Sequence, residues 1–199
     1  MGKFYRFVKA LAAVVVKLFF KLEINGGFTD KTGYILCCNH QSFWDMVLLI
    51  VLCPKQIHFM GKKELFSNKI LALLLHKLGA FAVNRGSGDV SAVKTAIGTV
   101  TEGGILGIFP EGTRYPVGRP SKFRAGAAMV AVKSGADILP VAIRYDKKAR
   151  PFRKVSVNVG EILPFESFCI DSENAGKSDI KRVLSVISNN IINLWEKAN

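Results

Sequence analysis

A histidine followed five residues later by an aspartate is the first pair in this chain that could do chemistry. The pair is His40 and Asp45, within the segment Asn39 to Asp45. An imidazole can take the proton from an attacking hydroxyl, and a carboxylate can hold the tautomer and orientation of that imidazole. On a continuous helix the two side chains would point apart, but a turn after a strand ending at residue 39 lets Asp45 reach back. The spacing therefore predicts a general base with its orienting acid.

The same spacing also fits a purely structural role for Asp45. Ser42 and Asp45 are three residues apart at the start of a predicted helix, which is nearly a capping box. In that arrangement the carboxylate only satisfies a backbone N–H group. The residues alone leave the two roles of Asp45 equal.

The second chemical segment is the run Phe109 to Arg114, which places a carboxylate, a glycine and a guanidinium in one tight loop after an apolar strand. The planar fork of Arg114 suits a phosphate monoester, and Gly112 lets the backbone approach a ligand closely. Both segments follow predicted strands, at the carboxyl edge where α/β sheets usually assemble binding sites. We therefore expect the base and the cation to share one site.

Together the two segments resemble the paired motifs of the glycerolipid acyltransferase family. The resemblance covers roughly residues 33 to 145 and extends through Gly79 to Arg85 and the apolar run Ile138 to Ile143. It implies that His40 and Asp45 are catalytic and that the second segment binds glycerol phosphate. The substrate-binding candidates are Glu111, Gly112, Thr113 and Arg114. A carboxylate would repel a phosphate, so Glu111 is assigned either to a glycerol hydroxyl or to an ion pair that holds Arg114.

Three further cations are candidates for the same phosphate. The resemblance implies that Arg85 helps to hold it, although Asn84 departs from the usual form of that block, and a solvated charge at a strand end is the alternative. Lys122 and Arg124 either extend the anion site or are ordinary surface charges at a helix start. The run Ile138 to Ile143 fits an acyl-chain wall and a core strand equally well.

The activity that the resemblance implies is transfer of an acyl group from acyl-CoA or acyl carrier protein to the sn-2 hydroxyl of 1-acylglycerol 3-phosphate, lysophosphatidic acid, which gives phosphatidic acid. No metal ion or cofactor is expected, because no metal-ligand spacing links the cysteines to the histidines. The alternatives are acylation of glycerol 3-phosphate or another lysophospholipid, and a non-catalytic basic module that binds membranes.

Short apolar runs alternate with longer helical patterns, which predicts one α/β domain with a mixed, largely parallel sheet of about seven strands flanked by helices. The predicted strands are 22–26, 34–39, 56–60, 80–84, 105–109, 138–144 and 154–160. The predicted helices are 43–53, 63–77, 89–102, 124–134 and 178–197, after an amino-terminal helix.

Charge and hydropathy indicate that the protein binds an anionic membrane surface. The formal net charge is +13, with 28 Lys and Arg against 15 Asp and Glu. Nucleic acid is not expected, because no recognition helix, zinc-ligand spacing or RNA-binding aromatic pattern is present. Residues 1–22 are predicted to form an amphipathic interfacial helix ahead of a catalytic domain at 23–199, because basic residues occupy one face and apolar residues the other. The expected location is peripheral or monotopic on the cytoplasmic face of the cell membrane.

Overall fold

The structure is a computed structural model that describes residues 2–84, 89–115, 118–146, 149 and 152–198. The strands are β1 (Phe20–Asn25), β2 (Tyr34–Cys38), β3 (Ile57–Lys62), β4 (Phe81–Val83), β5 (Ile105–Ile108), β6 (Asp137–Tyr145) and β7 (Arg153–Val159). The helices are α1 (Lys3–Phe19), α2 (Trp44–Leu52), α3 (Lys69–Lys77), α4 (Val90–Thr101), α5 (Gly126–Ser134) and α6 (Lys177–Glu196). Two 3₁₀ turns span Lys63–Phe66 and Phe165–Phe168.

The strands form one sheet in the order β1-β7-β6-β2-β5-β3-β4. β6 and β7 pair antiparallel, whereas the other neighbouring strands pair parallel. The predicted α/β class, with a mostly parallel seven-stranded sheet, is confirmed. Because β2 lies between β5 and β6 and runs parallel to both, the chain leaves all three strands at the same edge of the sheet.

Two apolar layers cover the sheet. α1 and α2 pack on one face, where Val16 and Leu49 are buried in the first core cluster. α4, α5 and α6 pack on the other face, where Ala96, Ala128 and Ile187 are buried in the second. Every residue of β2 is buried, as expected for a central strand covered on both sides. The strand that leads to the histidine is therefore packed on both faces.

The predicted helix at 63–77 is divided in two. A 3₁₀ turn occupies Lys63–Phe66, and α3 begins only at Lys69. The break follows from Asn68, whose side chain accepts hydrogen bonds from the backbone N–H groups of Ile70 and Leu71 at 3.0 and 3.1 Å. Asn is a favoured N-cap residue, so it starts a new helix rather than continuing the old one.

The amino-terminal helix is three residues shorter than predicted. It ends at Phe19, and Phe20 already belongs to β1, which pairs with β7 along its whole length. Phe20 is buried against Trp44 and Tyr145, with ring centroids 5.2 and 6.3 Å apart. Core packing therefore overrides the helical periodicity from residue 20 onward, and the boundary predicted at residue 22 lies inside a strand.

α1 packs on the core through only a few of its residues. Tyr5 and Val16 are buried, and Lys9 donates a hydrogen bond to the carbonyl of Cys53 at the end of α2. Large apolar residues at spacings of three and four along α1 remain exposed: Phe4, Phe7, Leu11, Val14 and Leu18. Packing on the core and an outward apolar stripe thus occur on the same helix.

A glycine in β5 sets the aromatic packing beneath the histidine. A Cβ atom at Gly107 would overlap the Phe59 ring and lie 2.7 Å from Ile57 Cγ2. The Phe59 ring stacks on Phe109, which stacks on His40 with centroids 4.0 Å apart. The missing side chain at Gly107 therefore leaves room for the stack that supports the imidazole.

We predict that Gly107→Ala lowers the free energy of unfolding by roughly 1–3 kcal/mol, the usual cost of overpacking a core. Urea unfolding measures the change. The matched control is Gly98→Ala in α4, where a Cβ would approach only Glu102 Oε1, at 3.8 Å. That substitution should leave stability unchanged or raise it by up to about 1 kcal/mol, because Ala favours helix. A Gly107→Ala protein as stable as the wild type would contradict the packing argument.

Candidate active site

His40 lies immediately beyond β2, at the carboxyl edge of the sheet. Its side chain is largely buried, and Nδ1 lies 2.9 Å from Asp45 Oδ2. Asp45 is the second residue of α2, so the turn at 41–43 brings the carboxylate back toward the strand end. The predicted contact between the two side chains is confirmed.

The Asp45 carboxylate is fully buried and receives three further hydrogen bonds. Oδ2 accepts from the backbone N–H groups of Gln41 and Ser42 at 2.6 and 2.7 Å, and Oδ1 accepts from the Tyr145 hydroxyl at 2.7 Å. The two roles left open for Asp45 are therefore both realised, since one carboxylate satisfies backbone N–H groups and contacts the imidazole. Burial, followed by the charge of Asp45, raises the pKa of Tyr145, which keeps its hydroxyl protonated as a donor.

The second ring nitrogen of His40 faces the other chemical segment. Arg114 Nε donates to His40 Nε2 at 3.3 Å, and the Phe109 ring covers one face of the imidazole. With a carboxylate at Nδ1 and an N–H donor at Nε2, the partners assign the tautomer that carries its proton on Nδ1. The Nε2 lone pair is then the basic position, and it points toward a guanidinium.

Glu111 has a different environment from the one expected. Its side chain is 1% exposed, and its two oxygens accept backbone N–H groups of His40, at 2.6 Å, and Ser121, at 3.4 Å. The carboxylate therefore joins two loops, and neither an ion pair with Arg114 nor an open face for a ligand hydroxyl is seen at this buried position. Burial raises the pKa of Glu111 to about 7, against the two N–H groups that lower it, and the charge of Asp45 adds to the rise.

The loop at 109–115 folds around Gly112, whose φ of +69° favours glycine. Arg124 lies against Gly112, where a Cβ would come 3.1 Å from Arg124 Cδ, and Arg124 N donates to the Pro110 carbonyl at 2.7 Å. Tyr115 N donates to the His40 carbonyl at 2.8 Å. The two motifs are thus joined by backbone as well as by side chains.

The structure places most of the remaining candidates at the surface. Thr113, Arg114, Lys122 and Arg124 are exposed, and only Arg114 of these contacts the imidazole. Lys122 adopts a left-handed φ of +58°. Arg85 lies outside the described residues. The apolar run Ile138 to Ile143 is buried throughout, as a core strand within β6.

Three polar residues complete the surroundings of His40. Asn39 exchanges two 2.8 Å hydrogen bonds with the backbone of Ile143, and so ties the histidine loop to β6. Sequence reasoning missed Tyr145, which lies one residue beyond the predicted strand. It also missed Gln41, whose amide donates to the Gly118 carbonyl at 3.3 Å. The buried Oε1 atom of Gln41 has no hydrogen-bond partner among the residues that the structure describes.

The arrangement provides two chemical functions side by side. An imidazole held by a carboxylate offers a lone pair that can accept a proton from a hydroxyl. An exposed guanidinium next to that lone pair can bind an anionic group of the same molecule. A hydroxyl compound that carries a phosphate nearby is the kind of ligand that both groups can engage together.

The chain is similar in sequence to known acyltransferases. The Acyltransferase family model matches residues 21–144. A 1-acyl-sn-glycerol-3-phosphate acyltransferase from Bacillus subtilis is 41% identical over 136 residues, which cover 66% of this chain and 67% of that protein. A protein with the same name from Streptococcus pneumoniae is 33% identical over 147 residues, which cover 69% of this chain but only 53% of that protein.

The crystal structure of the 1-acyl-sn-glycerophosphate acyltransferase PlsC from Thermotoga maritima superposes with a TM-score of 0.72 and 26% identity, covering 98% of this chain and 82% of that one. Its likeness extends over the sheet and its flanking helices. The family model covers more than half of the chain and spans both motifs. The chain therefore belongs to the acyltransferase family.

Proposed function

We propose that the protein transfers an acyl group from a thioester to the sn-2 hydroxyl of 1-acyl-sn-glycerol 3-phosphate, which produces phosphatidic acid for phospholipid synthesis. The single observation that carries the proposal is the contact between Arg114 Nε and His40 Nε2, in which a guanidinium suited to a phosphate lies beside an imidazole suited to act as a general base. The names of the bacterial relatives support the same acceptor. A lysophosphatidic acid carries its phosphate and its free hydroxyl on neighbouring carbons of glycerol, so one molecule can contact both groups.

The reaction needs only proton transfer and positioning. As the acceptor oxygen attacks the thioester carbonyl, its proton passes to His40 Nε2, and the Asp45 carboxylate stabilises the resulting imidazolium. The tetrahedral intermediate collapses, the carbon–sulfur bond breaks, and the imidazolium returns the proton to the leaving thiolate. The imidazole is regenerated, and no covalent enzyme intermediate is required.

Arg114 has two positions in this scheme. In the structure its Nε donates to the lone pair that the reaction uses. A phosphate monoester offers a stronger, bidentate and charge-assisted partner, so binding of the acceptor draws the guanidinium toward the phosphate and frees Nε2. Arg124, which packs on Gly112, and Lys122 are further candidate cations on the adjoining loop, and Arg85 is a third candidate.

The acyl donor is proposed to be acyl-CoA or acyl carrier protein. Both are anionic, and the formal net charge of +13 favours their approach to the surface. Neither a metal ion nor a cofactor takes part in the proposed steps.

We further propose that α1 binds an anionic bilayer on its cytoplasmic side. The exposed stripe from Phe4 to Leu18 is flanked on the same helix by the exposed Lys3, Arg6 and Lys17. An apolar stripe beside basic residues is the pattern of a helix that lies in the lipid interface. Among the described residues, no helix has the length and hydrophobicity needed to cross the bilayer.

We predict that His40→Ala lowers the rate of phosphatidate formation by at least about 100-fold, because the general base is lost. The assay follows labelled lysophosphatidic acid dispersed in detergent, with acyl-CoA and acyl carrier protein tested separately as donors. His76→Ala, at an exposed position of α3, is the matched control and should retain wild-type turnover. Retained turnover in His40→Ala would rule out the proposed base.

We predict that Arg114→Ala raises the KM for lysophosphatidic acid and lowers kcat/KM by roughly 10- to 100-fold, the usual effect of losing a charged hydrogen-bond partner. A phosphate-free 1-acylglycerol should be acylated equally slowly by wild type and variant. Arg119→Ala serves as the control, because Arg119 lies on the same loop but pairs with Glu196 at 2.7 Å. An unchanged KM would show that Arg114 does not bind the phosphate and that another cation does.

We predict that Glu111→Gln changes the pH dependence of stability. The folded-state pKa of about 7 lies above the value of about 4.3 for an unfolded chain, so the folded protein retains a proton between these values and loses stability as pH rises through them. The wild type should therefore lose roughly 1–3 kcal/mol relative to Glu111→Gln between pH 5 and pH 8. Urea unfolding at several pH values measures the difference, and a difference that is constant with pH would contradict the assignment.

A further inference from the structure

α3 is an apolar helix that the fold leaves uncovered. Its sequence contains an isoleucine and four leucines between Lys69 and Lys77, yet within residues 2–84 no residue of α3 is buried. Ile70 is 82% exposed and Leu73 is 59% exposed. Neither core cluster includes a residue of α3 among those that the structure describes. Soluble domains rarely leave such a set of adjoining apolar side chains in water.

The exposed side of α3 lies on the same face of the molecule as the stripe of α1. β2 to β3 and β3 to β4 advance in the same direction across the sheet, so right-handed crossovers place α2 and α3 on one face. α1 packs on α2 on that face, and Lys77 Nζ lies 5.5 Å from the centroid of the Phe4 ring. The end of α3 therefore meets the start of α1.

Exposed apolar residues are concentrated on this face. Of the fifteen large apolar residues that are exposed in the described structure, eleven lie on α1, α3 or the turn between β3 and α3. On the opposite face α4 contributes Val90, and α5 and α6 contribute none within their described ranges. The asymmetry indicates one extended apolar surface rather than scattered exposure.

Basic residues border the α3 part of this surface. Lys69 and Lys77 stand at its two ends and Lys63 precedes it, all of them exposed, whereas the nearby Lys62 pairs with Glu64 at 2.9 Å. Apolar side chains bordered by lysines complement a bilayer that contains anionic lipids, because the chains enter the interface while the ammonium groups remain among the headgroups. A second copy of the chain would bring the same positive border against itself, which disfavours self-association through this surface.

We infer that α3 is a second bilayer-contacting element, which inserts Ile70, Leu73 and Leu74 into an anionic lipid surface beside α1. The inference rests on the proposed membrane-bound function of the protein, but it concerns a helix that this function does not require. Two contacting helices fix the rotation of the molecule about α1, whereas α1 alone would leave that rotation free.

The first test places a fluorescent reporter on the helix. Ile70→Trp and, as the control on the opposite face, Val90→Trp are mixed with vesicles of phosphatidylcholine and phosphatidylglycerol, with and without brominated acyl chains. Subtracting the wild-type signal removes the contributions of Trp44 and Trp195. We expect Ile70→Trp emission to shift to shorter wavelength and to be quenched by brominated chains, and Val90→Trp to show neither change. Vesicle-bound protein in which Ile70→Trp remains unshifted would overturn the inference.

The second test removes the apolar side chains. The triple substitution Ile70→Ser, Leu73→Ser and Leu74→Ser should weaken binding to the same vesicles by at least about 10-fold, because three exposed apolar side chains no longer enter the lipid. Val90→Ser should bind like the wild type. Unchanged vesicle binding by the triple variant would overturn the inference. It would also be overturned if, without lipid, the wild type were a dimer and the triple variant a monomer, because α3 would then be covered by a second copy.

Activity separates this inference from the proposed reaction. With lysophosphatidic acid dispersed in detergent, the triple variant should keep the wild-type rate, because none of the three residues is among the hydrogen-bond or ring partners of His40. If wild type and triple variant are both inactive there while vesicle binding differs, the proposed reaction fails and the role of α3 stands. If both are active and vesicle binding is equal, the reaction stands and the role of α3 fails.

Discussion

A single buried carboxylate governs the architecture of this site. Asp45 has no exposure to solvent, and an ionised carboxyl in that position is tolerated only when hydrogen-bond donors replace the water it has lost. The donors come from the imidazole of His40, from two backbone N–H groups in the turn and from the Tyr145 hydroxyl at the end of β6. Because these groups belong to three separate parts of the fold, the carboxylate fixes the end of β2, the start of α2 and the end of β6 relative to one another.

A second buried acid plays the corresponding part on the other side of the imidazole. Glu111 accepts the backbone N–H of His40 and that of Ser121, and so joins the histidine loop to the loop that leads into α5. The Phe59 and Phe109 rings support the imidazole from below, in space left by Gly107. His40 is therefore held through its backbone, its Nδ1 atom and one ring face, while Nε2 remains directed toward Arg114. This is the preorganisation that general-base catalysis needs.

Sequence reasoning predicted the features that depend on local patterns. Strand order cannot be read from composition, but alternating apolar runs predicted the largely parallel α/β class. The residues after β2 and β5 predicted that these two loops lie side by side, as the contact between His40 and Arg114 shows. The features that were not predicted depend on contacts between residues that are far apart in the sequence. Tyr145 reaches Asp45 from a hundred residues away. Glu111 was assigned to a glycerol hydroxyl or to an ion pair with Arg114, because nothing local shows that its side chain turns inward. The helix predicted at 63–77 is divided by Asn68, and no local pattern shows that the fold leaves α3 uncovered.

The junction between α1 and β1 contains no intervening residue, since the helix ends at Phe19 and the strand begins at Phe20. Rings on both sides of the junction pack against Trp44, the first residue of α2 and the neighbour of Asp45. With α1 at the bilayer as proposed, the enzyme has no hinge between its anchor and its catalytic centre. The distance between the imidazole and the lipid headgroups is then fixed by the fold. The lipid acceptor must therefore move along the bilayer normal to bring its hydroxyl to the imidazole.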